Sequence, residues 1–584
     1  MAWKLKKKAK SLLEQEEGTV FKPRGGKTTF ALIYPNRYWV GMSSLGFQTV
    51  YSLLNQHPSL LCERAFLPDK EDLKALYRSR YQIFSLESQQ PLREFEILGF
   101  SISYEEDFLN VLKILDLAKI PLKREDRNDS DPLIIAGGIT CFLNPEPLAD
   151  FIDLFIVGEA EEVMPELVQT YKSYSGSGLH RGELISRLGR LEGVYAPGNY
   201  RASYYDDGPI SGFEALNGAP VKIKRRLIKK LETNPAHSRI STPATELGGM
   251  FLVELGRGCP WRCRFCANSY VYLPPRNYPA ERVKEVIPED RKVKVGLISS
   301  QFSGSPGLEE VMSSIIARGS NVSAPSLRLD LLSEETLLYL KKSGHKTISL
   351  APETGSETLR KVINKGFTDE QILKTVEKII KNDIFNLKLY FMIGLPGETS
   401  RDIDAIVALA GMIKSQILKY GRSRRLGTLT LSINPFIPKA STPFQWHGLE
   451  DILSLREKLE IIKKRLKGEG NVVVKSESLR SSYLQVLLSR GDRRAGEILL
   501  AAHQHGWRSA LREAEPQPDF YVYRQIEHSE ILPWDFIDHG IEKEYLSEEY
   551  RRGMKGLLSP PCAPGDCSRC GVCSWSSVEK EQVI

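Results

Sequence analysis

Three cysteines stand in C-x3-C-x2-C spacing in the stretch Gly258-Cys259-Pro260-Trp261-Arg262-Cys263-Arg264-Phe265-Cys266. The apolar run before it, residues 250–255, predicts a buried strand, and the glycines at 256 and 258 allow a tight turn after it. Three thiolates on one loop can hold three irons of a cubane cluster and leave the fourth iron open, whereas a closed structural site supplies four ligands. The spacing therefore predicts an open iron–sulfur cluster. Three buried or zinc-binding cysteines are the alternative.

Seven of the nine cysteines fall into two groups, and the other two, Cys62 and Cys141, stand alone. Such grouping is typical of metal ligands and not of a disulfide framework. With 41% hydrophobic and 26% charged residues, the 584-residue chain has the composition of an ordinary globular protein of three or four domains. No apolar run reaches membrane-spanning length and no signal-peptide segment is recognisable, so we expect a cytoplasmic protein without membrane contact.

The formal net charge of +7 owes much to five lysines among the first ten residues. Residues 1–27 are therefore predicted to be a basic leader, either a solvated, frayed terminus or a weak contact for RNA or the ribosome. A second basic run at 222–230 lies in a predicted interdomain linker, residues 216–248. Contact with substrate or RNA is the alternative for this run.

Residues 28–215 alternate short apolar runs with helical segments through glycine-bearing loops, which predicts a doubly wound, Rossmann-like parallel sheet. Ligands of such sheets lie beyond the carboxyl ends of the strands. The strands are expected at 28–34, 64–67, 97–103, 132–136 and 154–157.

Residues 249–446 repeat the strand–helix alternation about six times, which predicts a partial (β/α)6 TIM-like barrel that is open on one side. Capping signals at Ser333, Ser356 and Thr368 mark helix starts. The strands are expected at 250–255, 294–299, 326–330, 346–350, 387–394 and 428–435.

The rest of the chain is predicted to be a mostly helical domain, residues 447–555, and a cysteine-rich tail, residues 556–584. The tail cysteines have C-x4-C-x2-C-x2-C spacing, and consecutive C-x2-C steps favour a second [4Fe-4S] cluster over zinc. A disordered or transiently docked tail remains a further alternative. The tail cysteines are Cys562, Cys567, Cys570 and Cys573.

The cysteine loop resembles the cluster loop of the radical S-adenosylmethionine superfamily, both in its spacing and in the aromatic Phe265 before the last cysteine. The resemblance implies that Cys259, Cys263 and Cys266 hold a [4Fe-4S] cluster whose open iron chelates S-adenosylmethionine. An electron from a reductant such as flavodoxin or ferredoxin would then cleave S-adenosylmethionine to a 5′-deoxyadenosyl radical.

Other segments extend the resemblance along the barrel rim. Residues 351–366 are similar to the family's Glu-x-Gly-Ser segment, which implies that Glu353 faces S-adenosylmethionine. Ser326 or Arg328, on the expected third strand, would lie near the ribose or the carboxylate. Residues 391–399 resemble the fifth strand and its glycine turn at Gly394, which alternatively only shapes the backbone. The sequence departs from the family at 298–303, where Gly-Gly-Glu is common.

The N-terminal sheet resembles the cobalamin-binding domain fused ahead of many radical S-adenosylmethionine enzymes. The matching features are Ser101 and Ser103 after the third strand, the Gly137-Gly138 turn, and Gly158-Glu159 after the fifth strand. The Asp-x-His-x-x-Gly motif of many such domains is missing. Either cobalamin is bound without a protein histidine, or the domain keeps the fold without the cofactor.

Taken together, these features favour a radical S-adenosylmethionine enzyme, a cobalamin-dependent methyltransferase acting on an unactivated carbon. The first alternative is a tRNA- or ribosome-modifying radical enzyme similar to methylthiotransferases. The second is a non-enzymatic RNA-associated iron–sulfur protein. The sequence does not name the substrate.

Overall fold

A computed structural model describes residues 2–79, 81–174, 178–206, 208–325, 327–420, 427–563 and 567–573. The N-terminal part alternates strands and helices along the chain, as the sequence predicts. Its elements are α1 (Ala2–Leu13), β1 (Thr28–Tyr34), α2 (Tyr38–Gly41), α3 (Leu45–Gln56), β2 (Leu60–Phe66), α4 (Lys70–Ser79), β3 (Ile97–Ser101), α5 (Phe108–Leu117), β4 (Leu133–Gly137), α6 (Ile139–Leu143), β5 (Leu154–Ile156), α7 (Ala160–Tyr174), α8 (Arg181–Leu188), β6 (Val194–Tyr195), β7 (Tyr200–Tyr204), β8 (Ile210–Ala215) and β9 (Ile223–Lys224).

The first six strands form one sheet in the order β2-β1-β3-β4-β5-β6, parallel except for β6. Every residue of β1 is buried, because successive side chains pack into cores on opposite faces of the sheet. The doubly wound fold is therefore confirmed. One of the two cores also contains side chains from the C-terminal helices, including Leu488, Leu499 and Leu546.

The leader is a docked helix and not a frayed terminus, because Leu5 and Ala9 of α1 are buried against the sheet. Lys8 forms an ion pair with Asp72 at 2.8 Å. The expectation of a solvated leader is wrong for this reason: every third or fourth residue of the lysine-rich segment is apolar enough to pack.

The central part supplies a second set of strands and helices. They are β10 (Phe251–Arg257), α9 (Asn268–Val271), β11 (Arg276–Asn277), α10 (Ala280–Glu285), β12 (Lys294–Ser299), α11 (Leu308–Ala317), β13 (Asn321–Ser323), α12 (Glu334–Lys342), β14 (Thr347–Glu353), α13 (Glu357–Val362), α14 (Asp369–Lys381), β15 (Asn386–Ile393), α15 (Ser400–Tyr420) and β16 (Leu429–Pro435). The side chains of Ser333, Ser356 and Thr368 cap α12, α13 and α14 as predicted.

The C-terminal part adds helices and two further strands. They are α16 (Ile452–Leu466), β17 (Val472–Lys475), α17 (Leu479–Arg490), α18 (Ala495–His505), α19 (Trp507–Glu513), α20 (Pro518–Val522), β18 (Ile537–Asp538) and α21 (Lys543–Met554). β18 pairs with β9 of the predicted linker, so the C-terminal region closes back on the N-terminal part. No helix in the described part of the chain is both long and apolar enough to cross a membrane.

The barrel strands form two sheets, β11-β10-β12-β13 and β14-β15-β16-β17. A parallel bridge between Leu327 and Leu350 joins them into one arc. The end strands β11 and β17 do not pair with each other within the described ranges, so the barrel is open, as predicted. β17 lies beyond the predicted barrel boundary at 446 and extends the arc by one strand.

The strand expected at 326–330 is wrong. β13 ends at Ser323, and residues Leu329–Leu331 form a short 3-10 turn instead. Leucines at 327 and 329 alternate as in a strand, but Pro325 cannot donate to a strand ladder, and of the described residues 327–330 only Leu327 makes a bridge.

The buried carboxyl group of Asp107, which follows β3, makes a contribution to stability that depends on pH. Its Oδ1 accepts hydrogen bonds from Asn36 (2.8 Å) and Asn110 (3.2 Å), while Oδ2 is buried without a partner among the described residues. Burial, partly offset by these hydrogen bonds, raises the pKa of Asp107 from 3.8 to about 6. Stability conferred by the protonated form is thus present below pH 4 and lost as the pH rises through 6.

We expect Asp107→Asn to raise the free energy of unfolding at pH 7.5 by up to about 3 kcal/mol, since one pKa unit corresponds to about 1.4 kcal/mol. At pH 4 the substitution should have little effect, because the wild-type carboxyl is then already neutral. Urea unfolding at both pH values checks this, with exposed Asp290→Asn as the control. Equal effects of Asp107→Asn at pH 4 and pH 7.5 would contradict the assignment.

Candidate active site

The cysteine loop begins where β10 ends, at the carboxyl edge of the barrel strands. Gly258 has φ +82°, and a Cβ atom there would lie 2.5 Å from the carbonyl oxygen of Tyr272. Glycine is therefore required at this turn, as the sequence indicates. Asn364 fixes the middle of the loop by donating hydrogen bonds of 3.1 Å to the carbonyl oxygens of Trp261 and Arg262.

The three loop cysteines lie near one another and are largely shielded from solvent. Cys259 and Cys263 are buried, Cys266 is half-buried, and each thiol is near enough to another for their charges to interact. Burial raises the pKa of the Cys263 thiol to about 11, so metal binding would have to displace its proton. No three His, Cys, Asp or Glu side chains of the described ranges converge closely enough in this structure to hold a metal ion. The donor set, three thiols on one loop, nevertheless fits three irons of a cluster.

Arg264 joins the loop to the C-terminal region. It is fully buried, and its guanidinium pairs with Glu549 of α21 at 3.1 Å. The same group donates to the carbonyl oxygens of Val362 (3.0 Å) and Leu557 (2.8 Å) and to the hydroxyl of Ser559 (3.0 Å). The cysteine loop is thus held from behind by a buried charge and a full set of hydrogen bonds.

The cysteine-rich tail packs against the same loop. The amide of Cys562 donates to the carbonyl oxygen of Pro260 at 2.7 Å, and Nη2 of Arg262 lies 3.5 Å from Sγ of Cys570. Cys562 is close enough to Cys570 and Cys573 for their charges to interact. The described tail residues are therefore docked, contrary to the alternative of a disordered tail, and Arg262 of the cysteine loop contacts the tail cysteine Cys570.

The predicted rim residues occupy different surroundings. Glu353 ends β14 with φ +70°, and its carboxylate accepts a 2.8 Å hydrogen bond from Lys365. Gly394, with φ +78°, follows β15, and its amide donates to Glu398 at 2.9 Å. Both residues lie at the carboxyl edge, near the cysteine loop, where we expected them.

Arg328 stacks on the cysteine loop itself. Its guanidinium lies 3.9 Å from the ring centroid of Trp261 and pairs with Asp330 at 2.8 Å. Phe265 packs into a small apolar cluster at the rim that includes Leu395. Ser326, the other candidate on the expected third strand, lies outside the described residues.

A cavity of about 450 Å³ separates the carboxyl edge of the N-terminal sheet from the barrel. Phe30, Gly99 and Met164 line the cavity on the side of the sheet, and Tyr272 and Ile298 line it on the side of the barrel. Ser101, Ser103, Gly137, Gly138 and Glu159 all line it. The structure therefore brings the predicted N-terminal site residues together, and Gly258 and Asn268 extend the lining to the cysteine loop.

Glu159 differs from the other lining residues because its carboxylate is already engaged. It accepts a 2.7 Å hydrogen bond from Arg276 and pairs with Arg257 at 3.1 Å. Burial alone would raise the pKa of Glu159, but the hydrogen bond from Arg276 and the charges of the two arginines lower it below its ordinary value. This carboxylate joins the sheet to the barrel, a function that sequence reasoning missed because both arginines lie about 100 residues away.

Two family models match the two parts of the chain that form this site. The family model for the radical SAM superfamily matches residues 253–410, and that for the N-terminal region of radical SAM proteins matches residues 46–197. An uncharacterized protein of Methanocaldococcus jannaschii is 30% identical over 477 residues, which are 80% of this chain and 90% of that protein. The chain belongs to the radical S-adenosylmethionine superfamily.

Two further matches to this radical enzyme are partial or remote. An uncharacterized methyltransferase of Pyrococcus horikoshii is 25% identical over 47% of this chain and 57% of its own length. The solved structure of the radical S-adenosylmethionine methyltransferase TsrM from Kitasatospora setae, with cobalamin and a [4Fe-4S] cluster bound, superposes with a TM-score of 0.51 at 13% identity. That alignment covers 84% of this chain and 100% of TsrM. The likeness to TsrM shows a shared fold. None of these matches supports the RNA or ribosome contact considered from the sequence.

The residues around the cavity fit a large cofactor in the manner expected of a cobalamin domain. Gly138 and Gly158 adopt positive φ values and present no side chain at the sheet edge, while Phe30, Leu32 and Met164 give the sheet side of the cavity an apolar lining. None of the described residues that line the cavity is a histidine. The site of this radical enzyme thus places the cysteine loop and the cavity side by side at the barrel rim.

Proposed function

We propose that this radical enzyme is a cobalamin-dependent methyltransferase that acts on an unactivated carbon. The observation that carries the proposal is the continuity of the cavity, whose lining runs from the glycine turns of the N-terminal sheet to Gly258 of the cysteine loop. A cluster would supply the electron that cleaves S-adenosylmethionine, and cobalamin would supply the methyl group. The chain's own contribution is to place these groups and to exclude water.

Each candidate residue then has a proposed role. Cys259, Cys263 and Cys266 would hold the cluster, with Phe265 shielding it on the rim side. Glu353 would bind the ammonium or ribose of S-adenosylmethionine, because its carboxylate lies at the rim. Its ion pair with Lys365 holds it there. Gly394, which has no side chain, would leave the space beside the neighbouring backbone open.

The remaining roles concern the rest of the site. Arg328 would orient the cysteine loop through its stacking on Trp261. Ser101, Ser103, Gly137 and Gly138 would contact cobalamin. The tail cysteines would hold a second metal centre, a [4Fe-4S] cluster or zinc, and a flavodoxin- or ferredoxin-type protein would supply electrons.

Anaerobic reconstitution with hydroxocobalamin, iron and sulfide, followed by metal analysis and a visible spectrum, tests the proposal. We expect about one cobalt and about eight irons per chain if both cysteine groups hold [4Fe-4S] clusters, and about four irons if the tail holds zinc. The cobalamin spectrum should lack a histidine ligand. Iron without cobalt would overturn the methyltransferase proposal and leave a radical enzyme of another kind.

The tail site gives a separate prediction. Cys570→Ser should remove about four irons, or about one zinc, per chain and leave the radical cluster intact, because Arg264 and Asn364 hold the loop independently of Cys570. Metal analysis with electron paramagnetic resonance of the reduced protein checks this. Cys141→Ala, a buried cysteine of α6, is the control. An unchanged metal content in Cys570→Ser would contradict a tail metal site.

A further inference from the structure

The inner wall of the barrel differs from an ordinary packed core. In β14, β15 and β16, alternate residues such as Leu350, Leu389 and Leu431 are buried against the outer helices. The residues between them are half-buried and face the barrel interior. These interior residues are Ser349, Ala351, Glu353, Asn386, Lys388, Tyr390, Met392, Thr430, Ser432 and Asn434.

Closed barrels fill their interior with large apolar side chains, but most residues of this wall carry hydroxyl, amide, ammonium or carboxylate groups, and the carboxylate of Glu353 is already paired with Lys365. The hydroxyls of Ser349, Tyr390 and Ser432 make no hydrogen bond to any other described residue. They are half-buried and remain accessible from the interior. Unpaired polar groups in such a position are typical of a binding surface and not of a structural core.

Two lysines give this wall an uncompensated positive charge. Nζ of Lys388 lies 4.5 Å from the ring centroid of Tyr390, and neither Lys388 nor Lys475 forms an ion pair with a carboxylate of the described ranges. Lys388 is half-buried, whereas Lys475 is exposed at the open edge of the arc. Two other lysines near the site with little exposure are paired: buried Lys365 with Glu353, and half-buried Lys458 with Glu398. Half-buried Lys388 differs from these two lysines because its ammonium is available to a ligand, and exposed Lys475 can add a second positive charge from the open edge.

The strand register brings these lysines to one part of the wall. Tyr390 is in register with Ser432 on β16, and Ser432 with Lys475 on β17. Lys475 is thus two strands from Tyr390, a separation of about 10 Å between Cα atoms. Lys388 lies on the same face one pleat below Tyr390, so both ammonium groups can approach one ligand between them.

β12 adds one large apolar side chain where the barrel meets the cavity. Ile298 of β12 is 38% exposed although it is a large apolar residue, and it lines the cavity. The interior therefore offers a cationic, hydroxyl-bearing wall on β14 to β17 and an apolar contact at Ile298 beside the proposed cofactors.

We infer that the barrel interior binds a small substrate through an oxyanion, a carboxylate or a phosphate, which Lys388 and Lys475 hold together with the hydroxyls of Tyr390 and Ser432. Charge-assisted hydrogen bonds from ammonium groups suit either anion. The less polar part of the substrate faces Ile298 and the rim. This inference rests on the proposed function, because it names the substrate class of the same site.

Calorimetry on the reconstituted full-length protein tests the inference, with citrate and inorganic pyrophosphate as probes. Saturating S-adenosylmethionine is present, so that its own carboxylate cannot account for the effect. We expect the wild-type protein to bind at least one probe and Lys388→Met to bind it about 10- to 100-fold more weakly. Lys388→Arg, which keeps the charge, should retain most of the affinity.

Lys374→Met is the matched control, because Lys374 is an exposed lysine on the outer face of α14, paired with Glu370. It loses the same charge and should bind as the wild type does. If Lys388→Met fails to fold by circular dichroism, Lys475→Met replaces it, with the same expectation. Binding of citrate alone assigns a carboxylate, and binding of pyrophosphate alone assigns a phosphate.

Failure of the wild-type protein to bind either probe would overturn the inference. So would equal affinities in wild type and in the folded lysine variants. The proposed function fails separately, through absence of cobalt in the reconstituted protein. A protein that binds the probes through Lys388 but takes up no cobalt keeps the oxyanion site and loses the methyltransferase.

Discussion

Cys263→Ala is expected to abolish reductive cleavage of S-adenosylmethionine, with a fall of at least about 1,000-fold, the scale on which loss of an essential group lowers a rate. Cys263 lies between the other two cysteines of the loop and is the most deeply buried of the three. Without its thiolate, two ligands from the loop would remain, too few to hold a cluster that leaves one iron open. Iron content should fall by about four per chain.

The measurement is the formation of 5′-deoxyadenosine under reducing conditions, together with iron analysis of the same sample. Cys62→Ala serves as the control, since Cys62 is buried in β2 among apolar side chains far from the loop along the chain. Its cleavage activity should match the wild type. Full cleavage activity in Cys263→Ala would contradict the assignment of the loop as the cluster site.

Features that depend on short stretches of chain could be predicted from the sequence. The turn at Gly258 follows from a glycine placed directly after a buried strand, and the capping box of Thr368 and Gln371 follows from residues three apart. The glycine turns at 137–138 and 158 were expected at strand ends and line one cavity there. In each case the residues that determine the geometry lie within a few positions of one another.

Features that depend on distant partners were missed. Arg264 and Glu549 form their buried ion pair across 285 residues, and Arg262 and Cys570 meet across 308. A single sequence contains no signal that pairs one arginine with one glutamate at such a distance. The docking of the tail behind the cysteine loop could therefore not be foreseen, although both cysteine groups were visible.

The third barrel strand shows a different limit. Leu327 and Leu329 alternate with polar residues as a strand requires, yet the chain turns after a single bridge. Arg328 instead stacks on Trp261, a contact made with another loop. The pattern predicted burial correctly and secondary structure incorrectly, because tertiary contacts overrode local preference.

Gly137→Leu is expected to weaken cobalamin binding by about 10- to 100-fold, which corresponds to the usual cost of overfilling a packed site. Gly137 ends β4 and lines the cavity, and a Cβ atom there would lie 3.6 Å from Cβ of Ile156, an ordinary contact. A leucine would therefore enter the cavity without disturbing the backbone. Gly138 is unsuitable for this test, because a Cβ atom would lie 2.3 Å from the carbonyl oxygen of Ile102.

Absorption titration with hydroxocobalamin measures the affinity, and iron analysis of the same variant reports on the cysteine loop. Gly182→Leu is the control, because Gly182 is exposed on α8 and a Cβ atom added there would meet no other atom within 4 Å. Loss of cobalt with retained iron in Gly137→Leu alone would locate cobalamin between the sheet edge and the barrel. Unchanged cobalt affinity in a folded Gly137→Leu protein would mean that this cavity serves another ligand, since no cofactor lying against the glycine turn could tolerate a leucine side chain there.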